Sequence, residues 1–369
     1  MRILLLATVC TLTSCIGGGL KRRFPTPPSI PLKNSKLKDY AGCYHIHTHF
    51  SHDSRGKFPD ILNAAQKSGC DFLILTDHNT LQGKRYQGLH KNILVLSGAE
   101  LSTPSGHLGA LQIQTIPNRH QNIQHLLQQI RKQGGFSIVH HPHGGRTWKG
   151  GIHGFDAMEV FNLASLLKDN LVSTIFSALF VYPFSRKEAF ASLIKRPSAN
   201  LALFDKIAQQ RHIVMIAAND AHAIPVGKLT LQIYEHLFPL VRIHILAKNQ
   251  ANILSALRKG RCYFAFDIFE DATSFLFYAK KKNSTQYLLM GDSSPFSNQW
   301  ILLARSPVFC KFKLYKNGKN IRIHLGKTLS YSPQTSGVFR LEAYLPYPSS
   351  SNTQRWIPWV FTNPIWLKN

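Results

Sequence analysis

Four histidines and an aspartate crowd into ten residues near the start of the chain: His45, His47, His49, His52 and Asp53. Imidazole and carboxylate at this density are the donors a metal ion needs. On a strand, residues two apart point to the same side, so His45 and His47 would project together. A histidine pair alone is weak evidence, but the pattern continues. His78, Glu100, His107, His141, Asp220 and His222 follow, nearly all at the end of or just beyond an apolar run. With His52 or Asp53 they form the number of donors that two or three ions require. A mixed imidazole and carboxylate set suits Zn, Mn or Fe rather than Ca. The scarcity of acids sharpens the pattern. The chain has only 18 Asp+Glu against 44 Lys+Arg, yet Asp53, Asp77, Glu100, Glu159 and Asp220 all fall in histidine-bearing stretches.

The elements that must position these groups alternate. Gly42 to Phe50 reads as a strand running into a loop. Phe58 to Ser68 is helical by its apolar spacing and stops at Gly69. Phe72 to Leu75, Ile93 to Ser97, Leu108 to Ile113, Phe136 to Val139, Ala157 to Val160 and Ile213 to Ala217 are short apolar runs typical of buried strands. Asn118 to Gln133 is an amphipathic helix ended by Gly134-Gly135. Nearly every strand ends in His, Asp or Glu, and in β/α folds that edge gathers ligands and catalysis. Residues 163 to 212 form an insertion. Within it Leu171 to Phe184 is apolar but too short to span a bilayer. It reads as a buried helix, with a contact along one membrane face as the alternative.

After about residue 270 the style changes to alternating strands. Asn317-Gly318 marks a hairpin between two of them. This reads as a separate all-β module, sandwich-like by strand count. The 369-residue chain therefore divides into 1–15, 16–38, 39–270 and 271–369. The first segment has Arg2, an apolar run from Ile3 to Leu12, and Leu12-Thr13-Ser14-Cys15, which resembles a bacterial lipobox. Cys15 would carry lipid, and the protein would be exported and anchored to the membrane of the cell envelope. Residues 16–38 are a Gly, Pro, Lys and Arg rich tether. Cys43, Cys70, Cys262 and Cys310 are scattered and read as small buried residues.

The ordered motifs His45-Ile46-His47-Thr48, Thr76-Asp77-His78, Gly98-Ala99-Glu100 with Gly106-His107, His141-Pro142 and Asn219-Asp220-Ala221-His222 resemble the polymerase and histidinol phosphatase (PHP) superfamily. The C-terminal stretch Pro358 to Trp366 resembles exported members of that superfamily with an appended immunoglobulin-like domain. The resemblance implies a distorted (β/α)7 barrel with up to three metals at one face, followed by a small β-sandwich. It implies that His45, His47, Glu100 and Asp220 hold one ion. Glu100, His107 and His141 hold a second, with Glu100 bridging. His78 and His222 hold a third, together with a residue from the end of the first motif. There the chain departs from the usual Ser-Asp-Gly: it has Ser51-His52-Asp53-Ser54, so either His52 or Asp53 would serve.

The implied activity is hydrolysis of a phosphomonoester or phosphodiester by a metal-bound hydroxide, with Glu100, Asp220 and His222 acting in the reaction. The substrate would be a phosphorylated small molecule or nucleotide. Arg55, Arg146 and His143 are candidates for its phosphate. Glu159 and Asp77 read as groups that orient histidines. His49 and His140 read as supporting or core residues. The net charge of +26 favours polyanionic partners, nucleic acid among them. A non-catalytic metal-binding envelope lipoprotein and an exported nuclease are the competing readings.

Overall fold

The computed structural model describes residues 36–144, 147–226, 229–348 and 355–368. Cys15, nearly all of the tether and Arg146 lie outside the described residues. The chain is mixed α/β and divides into two compact units that alternate along the sequence. Of the described residues, 42–194 and 217–242 belong to one, and 36–41, 195–216 and 243–368 to the other.

Strand β1 (Lys38–Ile46), whose residues 42–46 belong to the first unit, leads into the first histidines. It pairs in parallel with β2 (Phe72–His78). After the short β3 (Gly88–His90), β2 pairs in parallel with β4 (Ile93–Thr103), placing His78 level with Glu100. The core strands are buried on both faces, which explains their continuous apolar runs. Helix α1 (Phe58–Lys67) connects β1 to β2. It has proline in its first turn, buries Phe58, Ile61, Leu62, Ala64 and Ala65, and gives way to Gly69 at φ 67°. Each large side chain buried this way contributes on the order of 2 kcal/mol.

The regular βα alternation implied by the resemblance is interrupted after β4. Strand β5 (Gly106–Leu111) folds straight back, pairing Thr103 with Gly106 and Glu100 with Gly109. Only Pro104 and Ser105 separate the strands, and two residues permit a hairpin but no crossover. Helix α2 (Ile123–Lys132) starts later than its periodicity implied, because the Asn122 side chain accepts from the Gln124 amide and caps it there. β6 (Phe136–Val139) is antiparallel to β5 and parallel to β7 (Ala157–Asn162). β8 (Val214–Ala218) follows the helical segment.

The expectation of a buried helix at 171–184 does not hold. In the helix Leu171–Phe180 the side chains of Val172, Phe176 and Phe180 are exposed, as is Phe184 beyond it.

The second unit is dominated by long antiparallel strands. One of them, Trp300–Lys316, is irregular between Arg305 and Cys310. It turns through Asn317 and Gly318, at φ 51° and 78°, into Lys319–Tyr331. The opposite edge of Trp300–Lys316 pairs with Gly337–Tyr347. Arg340 is buried and held by Asp205 at 2.6 and 2.7 Å and by Glu342 at 2.6 Å. Arg196 approaches the same Glu342 at 2.7 Å. A buried arginine needs such complete pairing to be tolerated. Cys43, Cys70, Cys262 and Cys310 are all buried thiols.

Candidate metal centre

The backbone at the strand ends does not follow the simple alternation read from the sequence. The β1–β2 register slips between Tyr44 and Ile46, and His45 sits in the slip at φ 65°. His45 and His47 still converge, with ring centroids 5.0 Å apart, but a bulge brings them together rather than strand periodicity. His141 and Asp220 also have positive φ, 28° and 49°. For residues other than glycine each such conformation costs on the order of 1–3 kcal/mol. The segment after β8 holds the bulge open by adding to β1: Asn219 N donates to Tyr44 O, Ala221 N to His45 O and His47 N to Ala221 O, at 3.0 to 3.1 Å. That attachment delivers Asp220 and His222 to the histidines of β1.

Glu100 is the centre of the cluster. Its Oε1 lies 2.8 Å from His107 Nδ1, 3.0 Å from His140 Nδ1 and 3.3 Å from His141 Nε2. Its Oε2 lies 3.1 Å from His45 Nε2, 3.2 Å from His78 Nδ1 and 3.3 Å from His47 Nε2. Six imidazoles exceed the roughly four lone-pair sites of one carboxylate. Asp220 Oδ1 lies 3.5 Å from both His45 Nε2 and His47 Nε2. Asp53 Oδ2 lies 3.2 Å from His78 Nε2 and 3.4 Å from His222 Nε2.

The hydrogen bonds behind the cluster fix which nitrogens face it with a lone pair. The Ser51 hydroxyl gives its proton to Asp77 Oδ1 at 2.8 Å, so His47 Nδ1, 2.9 Å away, must donate to Ser51. His47 Nε2 is then an acceptor facing two carboxylates, buried and without a hydrogen bond. His222 Nδ1 donates to the Asp220 carbonyl at 2.9 Å, which leaves His222 Nε2 in the same position towards Asp53. Glu159 Oε1 accepts from His45 Nδ1 at 2.6 Å, turning Nε2 towards Glu100 and Asp220. Lone pairs opposed to carboxylate oxygens repel unless a cation lies among them. The separations of 3.1 to 3.5 Å resemble the edge of a coordination tetrahedron, about 3.4 Å for donors about 2.1 Å from an ion. The donor set therefore fits divalent metal.

The electrostatics point the same way. Burial depresses the His45 imidazolium, but Glu100, Asp220 and Glu159 outweigh it and raise its pKa well above the usual value. Burial and the neighbouring His222 push His47 down to about 3. Burial would raise Glu100, yet His45 and its other histidine partners hold it well below the usual carboxylate range. The site demands positive charge, and one side chain meets only part of that demand.

Three groupings of donors fall within 4.8 Å of one another: His45, His47 and Asp220; Glu100, His107 and His141; and His47, Asp53, His78 and His222. Of the two residues left open by sequence, Asp53 is the one whose carboxylate lies among these donors. His52 is exposed, its ring 4.9 Å from that of His78, beside the cluster rather than within it. His140 belongs to a further grouping with His45 and Glu100. Both its nitrogens are engaged, Nε2 by the Tyr44 hydroxyl at 2.6 Å and Nδ1 by Glu100, so it positions the central carboxylate. Glu159 also accepts from the His141 amide and from Asn162, whose amide reaches Asp220 at 3.3 Å. Asp77 accepts from Thr48 N, Thr48 Oγ1 and Ser51 and shapes the loop after β1. His49 is exposed. Arg55 and His143 are exposed on the loops that follow the first motif and β6.

Sequence reasoning missed Tyr44, Ser51, Asn162 and Gly109. Gly109 carried a faint signal as a glycine within a strand. A Cβ there would lie 2.3 Å from His140 Nε2 and 2.6 Å from Tyr44 Oη, so only glycine leaves room for that pair.

A PHP domain model matches residues 44–140. An uncharacterized protein of Methanocaldococcus jannaschii, MJ1587, is 30% identical over 148 residues, which are 36% of this chain and 85% of that protein. A two-domain protein of Bacteroides vulgatus, containing a predicted PHP-like metal-dependent phosphoesterase, aligns in structure with a TM-score of 0.45 and 13% identity. The alignment covers 92% of this chain and 100% of that one.

Proposed function

Because this chain belongs to the PHP family, we propose that it is a metal-dependent phosphoesterase that hydrolyses a phosphomonoester or phosphodiester. The observation that carries the reading is the set of lone-pair nitrogens on His47 and His222, buried without hydrogen bonds and aimed at carboxylates. Two or three divalent ions of the Zn, Mn or Fe type would be held by His45, His47, Asp53, His78, Glu100, His107, His141, Asp220 and His222. Such ions, when bound, lower the pKa of water and neutralise phosphate oxygens.

The chain's own residues prepare that chemistry. Glu159 and Ser51 set the tautomers of His45 and His47, so that Nε2 of each faces the centre. The Tyr44–His140 pair fixes Glu100 between two groupings. Glu100 and Asp220 are the buried acids that would act in the reaction, together with the more accessible His222, its side chain 16% exposed. Arg55 and His143 are the exposed candidates to meet the substrate's remaining charge. The +26 balance supports an anionic substrate, with nucleotides included. The run from Ile3 to Leu12 ahead of Cys15 supports export and lipid anchoring in the cell envelope. Labelled-lipid incorporation, lost in Cys15→Ser, tests that part.

The central experiment measures bound metal and activity on a panel of sugar phosphates, mononucleotides and short oligonucleotides. Wild-type protein is compared with the His45→Ala/His47→Ala double variant. Metal and activity should disappear together. A metal-free double variant that still cleaves the panel would refute the proposal.

A further inference from the structure

In the helix Leu171–Phe180 the Thr174 and Ser177 side chains are buried while Phe176 and Phe180 are exposed. Thr174 and Ser177 are 8% and 3% exposed. Thr174 Oγ1 donates to Leu167 O and Ser177 Oγ to Ala189 O, both at 3.0 Å. Val172, Phe176, Phe180 and Phe184 are 83%, 60%, 61% and 87% exposed. Val172, Phe176 and Phe180 recur every fourth residue, the spacing that lines one face of a helix, and Phe184 follows in the turn beyond it. A contiguous exposed apolar face marks an interaction site.

We propose that this face is a membrane-docking surface, seated on an anionic lipid leaflet with the helix lying in the interface. Among the described residues no helix is long and apolar enough to cross a membrane, so the contact lies on the bilayer rather than through it. Charge decides between lipid and a second copy of the chain. At a net +26, two copies repel each other, whereas an anionic leaflet attracts the chain. The local charges agree with that sign. Lys168 and Lys187 are exposed and Arg186 is half-buried over the Tyr182 ring, against exposed Asp169 and Glu188. Phenylalanines would insert among the acyl chains while the lysines stay at headgroup level. The proposal is independent of the metal centre.

Hydrogen exchange on the full-length chain tests it locally, apart from any attachment through the N-terminus. Phosphatidylcholine vesicles with and without phosphatidylglycerol serve as the probe. Exchange within 171–184 should slow about tenfold on vesicles containing phosphatidylglycerol. Phe176→Ser/Phe180→Ser should abolish the slowing and lower vesicle affinity about tenfold or more. Both positions are exposed, and unchanged exchange elsewhere confirms that the variant folds. Unchanged exchange at 171–184 in a vesicle-bound chain would overturn the proposal. So would equal protection on phosphatidylcholine alone, or protection that follows protein concentration without vesicles, the mark of self-association.

Discussion

Replacing Asp53 with Asn, beside a His52→Ala control, separates the two residues that sequence left equivalent. Asp53 faces His78 Nε2 at 3.2 Å and His222 Nε2 at 3.4 Å, while His52 only flanks the His78 ring. Its side chain is 42% exposed, so solvent screens it. A unit charge about 3.3 Å from an opposite one is worth roughly 5 kcal/mol at an effective dielectric constant of about 20, and roughly 1 kcal/mol in bulk water. A half-exposed site lies between these limits, at about 2.5 kcal/mol. Asp53→Asn should therefore weaken the ion held by His47, Asp53, His78 and His222 about sixtyfold. Metal content after dialysis against a graded chelator series would show that ion leaving first, with the others retained. His52→Ala should stay within about twofold of wild type. If His52→Ala strips an ion and Asp53→Asn does not, the assignment built on these distances is wrong.

Gly109→Ala should destabilise the fold by about 2–4 kcal/mol in urea unfolding, since its methyl displaces His140 and breaks the Tyr44 bond. A loss below about 0.5 kcal/mol would show that the pair yields freely. The buried His244 lies between Asp267 at 2.9 Å and Asp39 at 3.1 Å. Burial lowers its pKa, but Asp267 and Asp39 raise it to about 9. A raised pKa gives stability that is present in full below the unfolded value near 6.5 and lost as pH climbs through about 9. Unfolding free energy should fall by roughly 3 kcal/mol across that window, and His244→Gln should flatten the slope. An equal slope in the variant would assign the pH dependence elsewhere.

The apolar runs at 72–75, 93–97 and 136–139 were legible as strands because burial on both faces leaves no alternation to confuse them. The Asn317-Gly318 turn was legible because few residues accept two successive positive φ angles. The hairpin between β4 and β5 was harder to see, since the motif that holds Glu100 and His107 hides a two-residue turn. The helix at 171–180 was misread. Its composition is apolar whichever face points outward, and only packing places Thr174 and Ser177 inside.

By itself the sequence determined the donor types, their order and their placement at strand ends, because short apolar runs and ligand-type residues are local properties of the chain. The tertiary structure decided what depends on distant segments meeting. It brought Asp53 rather than His52 up to His78 and His222, set His140 against Glu100, and joined residues 219–222 to β1 across the bulge at His45. It also assigned residues 195–216 and 243–270 to the same compact unit as the C-terminal strands. Those outcomes rest on contacts between residues far apart in the chain, for which no local periodicity exists.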